Sequence, residues 1–189
     1  MTAELFGTGR LTAVPAAGCD LDALLEVYTS NPDTLATTEG SAGEPGRYDR
    51  GMLERDLWMA ELEPGRTAAA LVLVESGRPV GAMDWLDVHP ERGIPWLGML
   101  MVHAAHQRRG LGREAAAGLA GHGREQGWER MGAGCLTGDA RAEGFLAACG
   151  FAPAGRIDHR FAAGERSVSL WLLELQAVGG GPEGVQVGG

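Results

Sequence analysis

The residues with the clearest chemical potential lie between Trp96 and Ala117, in the run W-L-G-M-L-M-V-H-A-A-H-Q-R-R-G-L-G-R-E-A-A-A. Trp96 to Val102 is apolar and has the length of a buried strand. A polar loop follows, carrying Gln107, Arg108, Arg109, Gly110 and Gly112, and an Ala-rich helical stretch begins near Arg113. A strand that feeds a glycine-containing turn into a helix N-terminus is a device for holding phosphate. The first helical N–H groups lack intrahelical acceptors, and the helix dipole places partial positive charge beside them. Gly110 and Gly112 carry no Cβ, so an anion can come close to the backbone. Arg108, Arg109 and Arg113 add positive charge around the turn.

Three readings fit this stretch. Gln107 to Gly112 satisfies Gln/Arg-x-x-Gly-x-Gly/Ala, the pattern that cradles the pyrophosphate of acyl-coenzyme A. Gly110-Leu-Gly112-Arg-Glu-Ala115 also satisfies the dinucleotide fingerprint G-x-G-x-x-A. That fingerprint sets its first glycine almost at the strand end, whereas His103 to Arg109 intervene here. The third reading is a plain glycine-bearing connection before a surface helix.

A second motif bears on the choice. Asp139-Ala-Arg-Ala-Glu-Gly-Phe145-Leu146-Ala-Ala-Cys-Gly150-Phe151 is similar to N-x-x-A-x-x-F-Y-x-x-x-G-F, with Asp139 in place of Asn and Leu146 in place of Tyr. The two motifs together resemble the GNAT superfamily of acyl-CoA-dependent N-acyltransferases, over about residues 10 to 175. The resemblance implies a mixed α/β (α+β) GNAT fold. Its central, mostly antiparallel seven-stranded sheet has splayed fourth and fifth strands and about four flanking helices. It implies acetyl-CoA as co-substrate and no metal. The backbone of Met99, Leu100, Met101 and Val102 would hold the pantetheine. Gln107 opens the pyrophosphate loop, whose amides at Arg108, Arg109, Gly110, Leu111, Gly112 and Arg113 would hold the phosphates. Asp139 and Phe145 complete the cofactor side. An amine would attack the thioester directly, with an N–H of Leu100 or Met101 polarising the carbonyl.

An aliphatic amine has a pKa of about 10, so the reaction calls for a base. Where the family often carries Glu or His early on the fourth strand, this chain has Trp96 and Gly98. The carboxylates and imidazoles open to that role are Asp84, Asp87 and His89 near the third strand, Glu39 and Glu44 in an earlier loop, and Asp158 and His159 on the sixth. His103 and His106 flank the cofactor motif without a matching Cys/His pair for a metal. No G-x-S-x-G nucleophile motif is present. Leu146 offers no proton to a leaving thiolate. Two functions therefore stand: an acetyl-CoA-dependent N-acetyltransferase acting on a primary amine of a small molecule or peptide, and a catalytically silent acyl-CoA-binding regulatory module.

Composition narrows the setting. A chain of 189 residues suits one domain, read here as residues 1–176 with a Gly-rich, disordered tail at 177–189. No apolar run approaches the roughly 20 residues of a membrane span, and the N-terminus lacks a secretory pattern. Three widely spaced cysteines suggest neither a disulfide framework nor a zinc ribbon, so a cytoplasmic setting is expected. All 16 basic residues are arginine, and the net charge is −9. That charge disfavours nucleic acid and suits cationic acceptors. A homodimer is left open.

In order, Arg10–Val14 is a short strand, Asp20 and Asp49 cap two helices, and Thr34 to Arg47 reads as a loop after Asn31-Pro32. Thr67–Glu75 and Val80–Val88 form a hairpin around Ser76-Gly-Arg-Pro79. After Trp96–Val102 come a helix from about Arg109 to Gln126, a strand at Glu129–Leu136, a helix at Arg141–Cys149, and strands at Phe151–Phe161 and Ser167–Leu175. The order is β-α-α-β-β-β-α-β-α-β-β.

Overall fold

Alternation along the strands divides the apolar residues between two faces of one sheet. The computed structural model describes residues 3–38, 47–161 and 163–175; Glu39, Glu44 and the tail 177–189 lie outside the described residues. The strands are β1 (Phe6–Gly7), β2 (Leu11–Pro15), β3 (Arg66–Leu73), β4 (Pro79–Leu86), β5 (Trp96–Val102), β6 (Arg130–Leu136), β7 (Ala152–Phe161) and β8 (Gly164–Glu174). They lie in the order β1-β2-β3-β4-β5-β6-β8-β7. Among the described residues, only β5 and β6 are parallel neighbours. The helices are α1 (Leu21–Thr29), α2 (Pro32–Thr38), α3 (Arg50–Leu62), α4 (Leu111–Glu125) and α5 (Ala140–Ala148).

Leu71, Met83, Trp85, Leu97, Met131 and Ala133 face α4 and α5, whose Leu111, Ala115, Leu119 and Leu146 complete that core. Ala70, Ala82 and Met101 face the other way, toward Leu24 and Val27 of α1 and Leu53 and Leu57 of α3. Asp20 and Asp49 cap α1 and α3 as expected, accepting from backbone amides two or three residues on.

The sheet has eight strands rather than seven, because the two-residue β1 pairs with β2 through Phe6↔Ala13. So short a strand leaves no period in the sequence. The segment from Thr34, read as loop, begins inside α2. Proline is tolerated at the first helical position, where its missing N–H has no intrahelical partner, so Pro32 starts a helix there after Asn31 ends the preceding turn. Two glycines of α4 that lower helix propensity serve packing. A Cβ on Gly118 would collide with Phe6 and Thr8, and one on Gly123 with Trp128.

One departure from regular pairing shapes the site. β5 pairs with β4 along its length, and β6 with β8 along its length. β5 and β6 meet only at Trp96↔Gly132 and Leu97↔Ala133. Past Leu97 the two strands part, leaving a cleft with one wall at Gly98–Val102. The β4–β5 register also shifts between Asp84 and Trp85, which leaves Gly98 as an extra, bulged residue.

Candidate functional site

The cleft ends at a turn rich in unpaired amides. After Val102 come His103, a 3-10 turn over Ala104–His106, and Gln107. Arg108 then takes a left-handed φ of 62° and Gly110 one of 81°. Left-handed residues on either side of Arg109 curl successive N–H groups inward, the geometry of an anion-binding nest. Gly110 is the N-cap of α4, and the first intrahelical bond there runs from Glu114 N to Gly110 O at 3.0 Å. Among the described residues, no amide from Arg108 to Arg113 donates a hydrogen bond. The donor set thus fits a diphosphate: backbone N–H groups, a helix N-terminus and three arginines.

Residues remote in sequence hold this turn. Arg10 donates from Nη1 to Arg109 O at 3.0 Å and pairs with Glu114 Oε2 at 2.6 Å. Glu114 Oε1 also accepts from Thr8 Oγ1 and from Arg10 N, both at 2.7 Å. The Gln107 amide donates to Val102 O and to Asn31 Oδ1, each at 2.9 Å, and accepts from Arg141. The Gln107 side chain therefore fastens the loop to the end of β5, to the α1–α2 junction and to α5. A Cβ on Gly112 would lie 3.1 Å from the Phe145 ring, so Phe145 packs against the first turn of α4. The Asp139 carboxylate caps α5, accepting from Arg141 N and Ala142 N at 3.0 Å. Leu146 is 4% exposed and belongs to the core under α5.

Backbone alternation fixes which β5 amide faces the cleft. His103 N donates to Val80 O at 2.8 Å, so Met101 and Met99 direct their amides to β4. The Leu100 N–H points the other way, into the opening between β5 and β6. Met101, by the same alternation, is committed to β4.

On the α1–α3 face, Asp84 sits beside the Gly98 bulge. Its Oδ2 accepts from Arg66 Nε at 2.6 Å, and its Oδ1 lies 2.5 Å from where a Cβ on Gly98 would stand. Only glycine leaves that space. Burial pushes the Asp84 carboxyl above the usual value, and the Arg66 guanidinium pulls it part of the way back. Arg66 also bonds Glu63 at 3.0 Å.

The other base candidates lie elsewhere. His89 occupies the closed end of the cleft, its ring centroid 5.1 Å from that of Trp96, and its Nδ1 accepts from Glu91 N. Asp87 lies past β4, with its amide bonded to Gly65 O. Asp158 and His159 are exposed on β7, the outer strand; Asp158 pairs with Ser167, beyond the last β6–β8 pair, Leu136↔Val168. The rings of His103 and His106 touch at 5.9 Å. Among the described residues, no group of three His, Cys, Asp or Glu converges as a metal site. The sequence reading missed Arg10, Asn31, Arg66 and Arg141 as site-builders, since each acts across a long sequence separation.

The Glu114 network has a measurable pH signature. Burial alone would raise the Glu114 carboxyl, but hydrogen bonds from Thr8 and Arg10 outweigh it and hold it below the usual range. A depressed carboxylate adds stability above its unfolded pKa and loses it as pH falls through its folded one. Glu114→Gln is therefore expected to melt below wild type at pH 7, with the gap closing under acid, as thermal unfolding at several pH values would show.

Comparison with known proteins agrees with this geometry. The family model described as acetyltransferase (GNAT) family matches residues 30–151. No curated protein sequence matches the chain. Among solved structures, an acetyltransferase from Thermus thermophilus is 27% identical, covering 87% of this chain and 97% of that one, at a TM-score of 0.69. A GCN5-related N-acetyltransferase from Brucella melitensis is 17% identical, covering 89% and 77%, at 0.74. RimL, a ribosomal L7/L12 alpha-N-protein acetyltransferase solved with coenzyme A, is 12% identical, covering 90% and 97%, at 0.72. The matched segment contains both walls of the cleft, the amide turn and the helix that Asp139 caps, and the chain belongs to the GNAT family of acetyltransferases.

Proposed function

We propose that this acyltransferase moves an acetyl group from acetyl-CoA directly to a primary amine of a small molecule or peptide. The observation that carries the reading is the arrangement around β5. Free amides lie at its end, a cleft-facing Leu100 N–H lies midway, and a buried carboxylate lies at its bulge. The amides from Arg108 to Arg113 hold the pyrophosphate, and the cleft-facing backbone of Leu100 and Val102 holds the pantetheine, whereas Met99 and Met101 spend their backbone groups on β4. Phe145 and Asp139 act from behind, by packing on and capping the helices that shape this pocket. The Leu100 N–H supports charge on the thioester oxygen. Asp84 Oδ1 takes the proton of the attacking amine, directly or through one water, while its other oxygen stays on Arg66.

The C–N bond forms as the C–S bond breaks, and the leaving group is a thiolate. A thiol has a pKa of about 8.5, so water can protonate it where Leu146 cannot. An amine acceptor accords with RimL, named for acetylating a protein α-amino group. The unpaired cysteines Cys19, Cys135 and Cys149 fit a reducing, cytoplasmic setting, and no helix among the described residues is long and apolar enough to cross a membrane.

The test is thiol release from acetyl-CoA with a panel of amines. Turnover is expected, with kcat/KM for a polyamine-like cation falling as salt rises, because the net charge of −9 steers cations. Leu146, lacking the family hydroxyl, favours the regulatory-module alternative. Tight acetyl-CoA binding with every amine silent would establish that alternative instead.

A further inference from the structure

We infer that Trp96 sets the length of acyl group the cleft accepts, a specificity role that rests on the acyl-CoA reading above. β5 and β6 touch only at Trp96↔Gly132 and Leu97↔Ala133, so the cleft closes at that vertex. Trp96 pairs with Leu86 across β4 and shares the Asp84 face of the sheet. Its six-membered ring occupies the space that a Cβ on Gly132 would need, and its Cζ2 lies 3.5 Å from the point where a Cβ on Gly134 would stand. The indole thus reaches across the vertex from β5 onto β6. Glycines at alternate positions of β6 admit it. The His89 ring braces it from the β4–β5 loop.

The direction of the strand turns this plug into a ruler. From the amide turn, an arm laid along β5 meets Val102, then Leu100, then Gly98, about 13 Å down the strand at roughly 3.3 Å per residue. The Gly98 bulge reverses the alternation there, so Val102 and Leu100 face α4 while Trp96 lies on the Asp84 side, its indole turned across the closed end of the cleft toward Gly134. A thioester with its carbonyl oxygen at the Leu100 N–H leaves a short acyl group between itself and the indole. An acetyl group ends there. A chain of eight carbons runs into the ring, which is packed against β6 and His89 and moves only by losing those contacts.

The test measures dissociation constants of free CoA, acetyl-CoA and octanoyl-CoA for wild type, Trp96→Ala and Trp96→Leu, together with thiol release on the best amine. Wild type should bind CoA and acetyl-CoA alike and octanoyl-CoA about tenfold or more weakly, a discrimination of the size steric pockets achieve. Trp96→Ala should remove most of that gap in affinity and in kcat/KM, with free CoA affinity unchanged. Equal handling of acetyl and octanoyl groups by wild type overturns the inference, as does discrimination that survives in Trp96→Ala. If Trp96→Ala also loses free CoA, the ring is needed to hold the cleft, and Trp96→Leu decides: discrimination kept there overturns the inference, and discrimination relaxed supports it. Failure of wild type to bind any form of CoA would instead refute the cradle, and this role with it.

Discussion

Asp84→Asn is expected to lower kcat/KM for amine acetylation by about a hundredfold or more, the usual contribution of a positioned base, with little change in acetyl-CoA affinity. The carboxylate does not line the amide turn; it sits buried at the Gly98 bulge, on the face of the sheet that α1 and α3 cover. Asparagine keeps the shape and still accepts from Arg66 Nε. The variant should therefore melt near the wild-type temperature, which separates lost chemistry from lost folding. The pH profile carries a second signature. Burial raises the Asp84 carboxyl above its ordinary value, although Arg66 opposes the shift. A base works only when ionised, so the wild-type rate should fall as pH drops through that raised pKa. The acid limb should vanish in Asp84→Asn. The stability linkage runs the other way: a carboxyl with a raised folded pKa adds stability below its unfolded pKa and loses it as pH rises through the folded one. Ionised Asp84 is thus held at some expense to folding, as an activated group would be. Wild-type rates and an unchanged acid limb in the asparagine variant would remove Asp84 from the mechanism.

The sequence made part of this site legible and hid the rest for identifiable reasons. The run from Trp96 to Gly112 announces strand, turn and helix because the hydrophobic period changes there and glycines punctuate it. Asp20 and Asp49 were readable as caps, since capping is a local bond over two or three residues. The splay of β5 from β6 was not a matter of composition. It came from the family resemblance, and the structure gives its extent as two paired positions. Asp84 stood among seven candidate bases because a carboxylate on a strand signals nothing about what faces it. Its partner Arg66 and the empty place on Gly98 come from neighbouring strands. Trp96 was noticed only as a missing acid or imidazole; its ring contact with Gly132 depends on a parallel pairing that no local pattern encodes. Arg10 and Glu114 lie far apart in the chain, and the bond between them joins the β1–β2 turn to α4 only in the folded state. Glu39 and Glu44, read as candidate bases in the loop from Thr34 to Arg47, lie outside the described residues.

The second large effect is expected at Gly110, and the structure changes the reason for it. The sequence suggests that glycine is there so that a phosphate can approach the backbone. The structure gives Gly110 a φ of 81°, and a Cβ at that position would make ordinary contact with Arg10 Nη2 at 3.5 Å. Backbone conformation is therefore the tighter demand. An L-residue in the left-handed region costs about 1–2 kcal/mol, and a β-branched one is worse placed still. Gly110→Val should relax the turn out of the left-handed form, so the Arg108–Arg113 amides no longer converge. Binding then has to restore that form, and acetyl-CoA affinity should fall about tenfold, at 1.4 kcal/mol per tenfold, together with a drop in melting temperature. Asparagine carries the same Cβ but tolerates the left-handed region far better. Gly110→Asn should keep affinity within a few-fold of wild type. Calorimetry on the two variants distinguishes the explanations, because both add a Cβ and only valine resists the conformation. If Gly110→Asn loses as much affinity as Gly110→Val, close approach of the ligand and not the backbone angle is what holds glycine at this position.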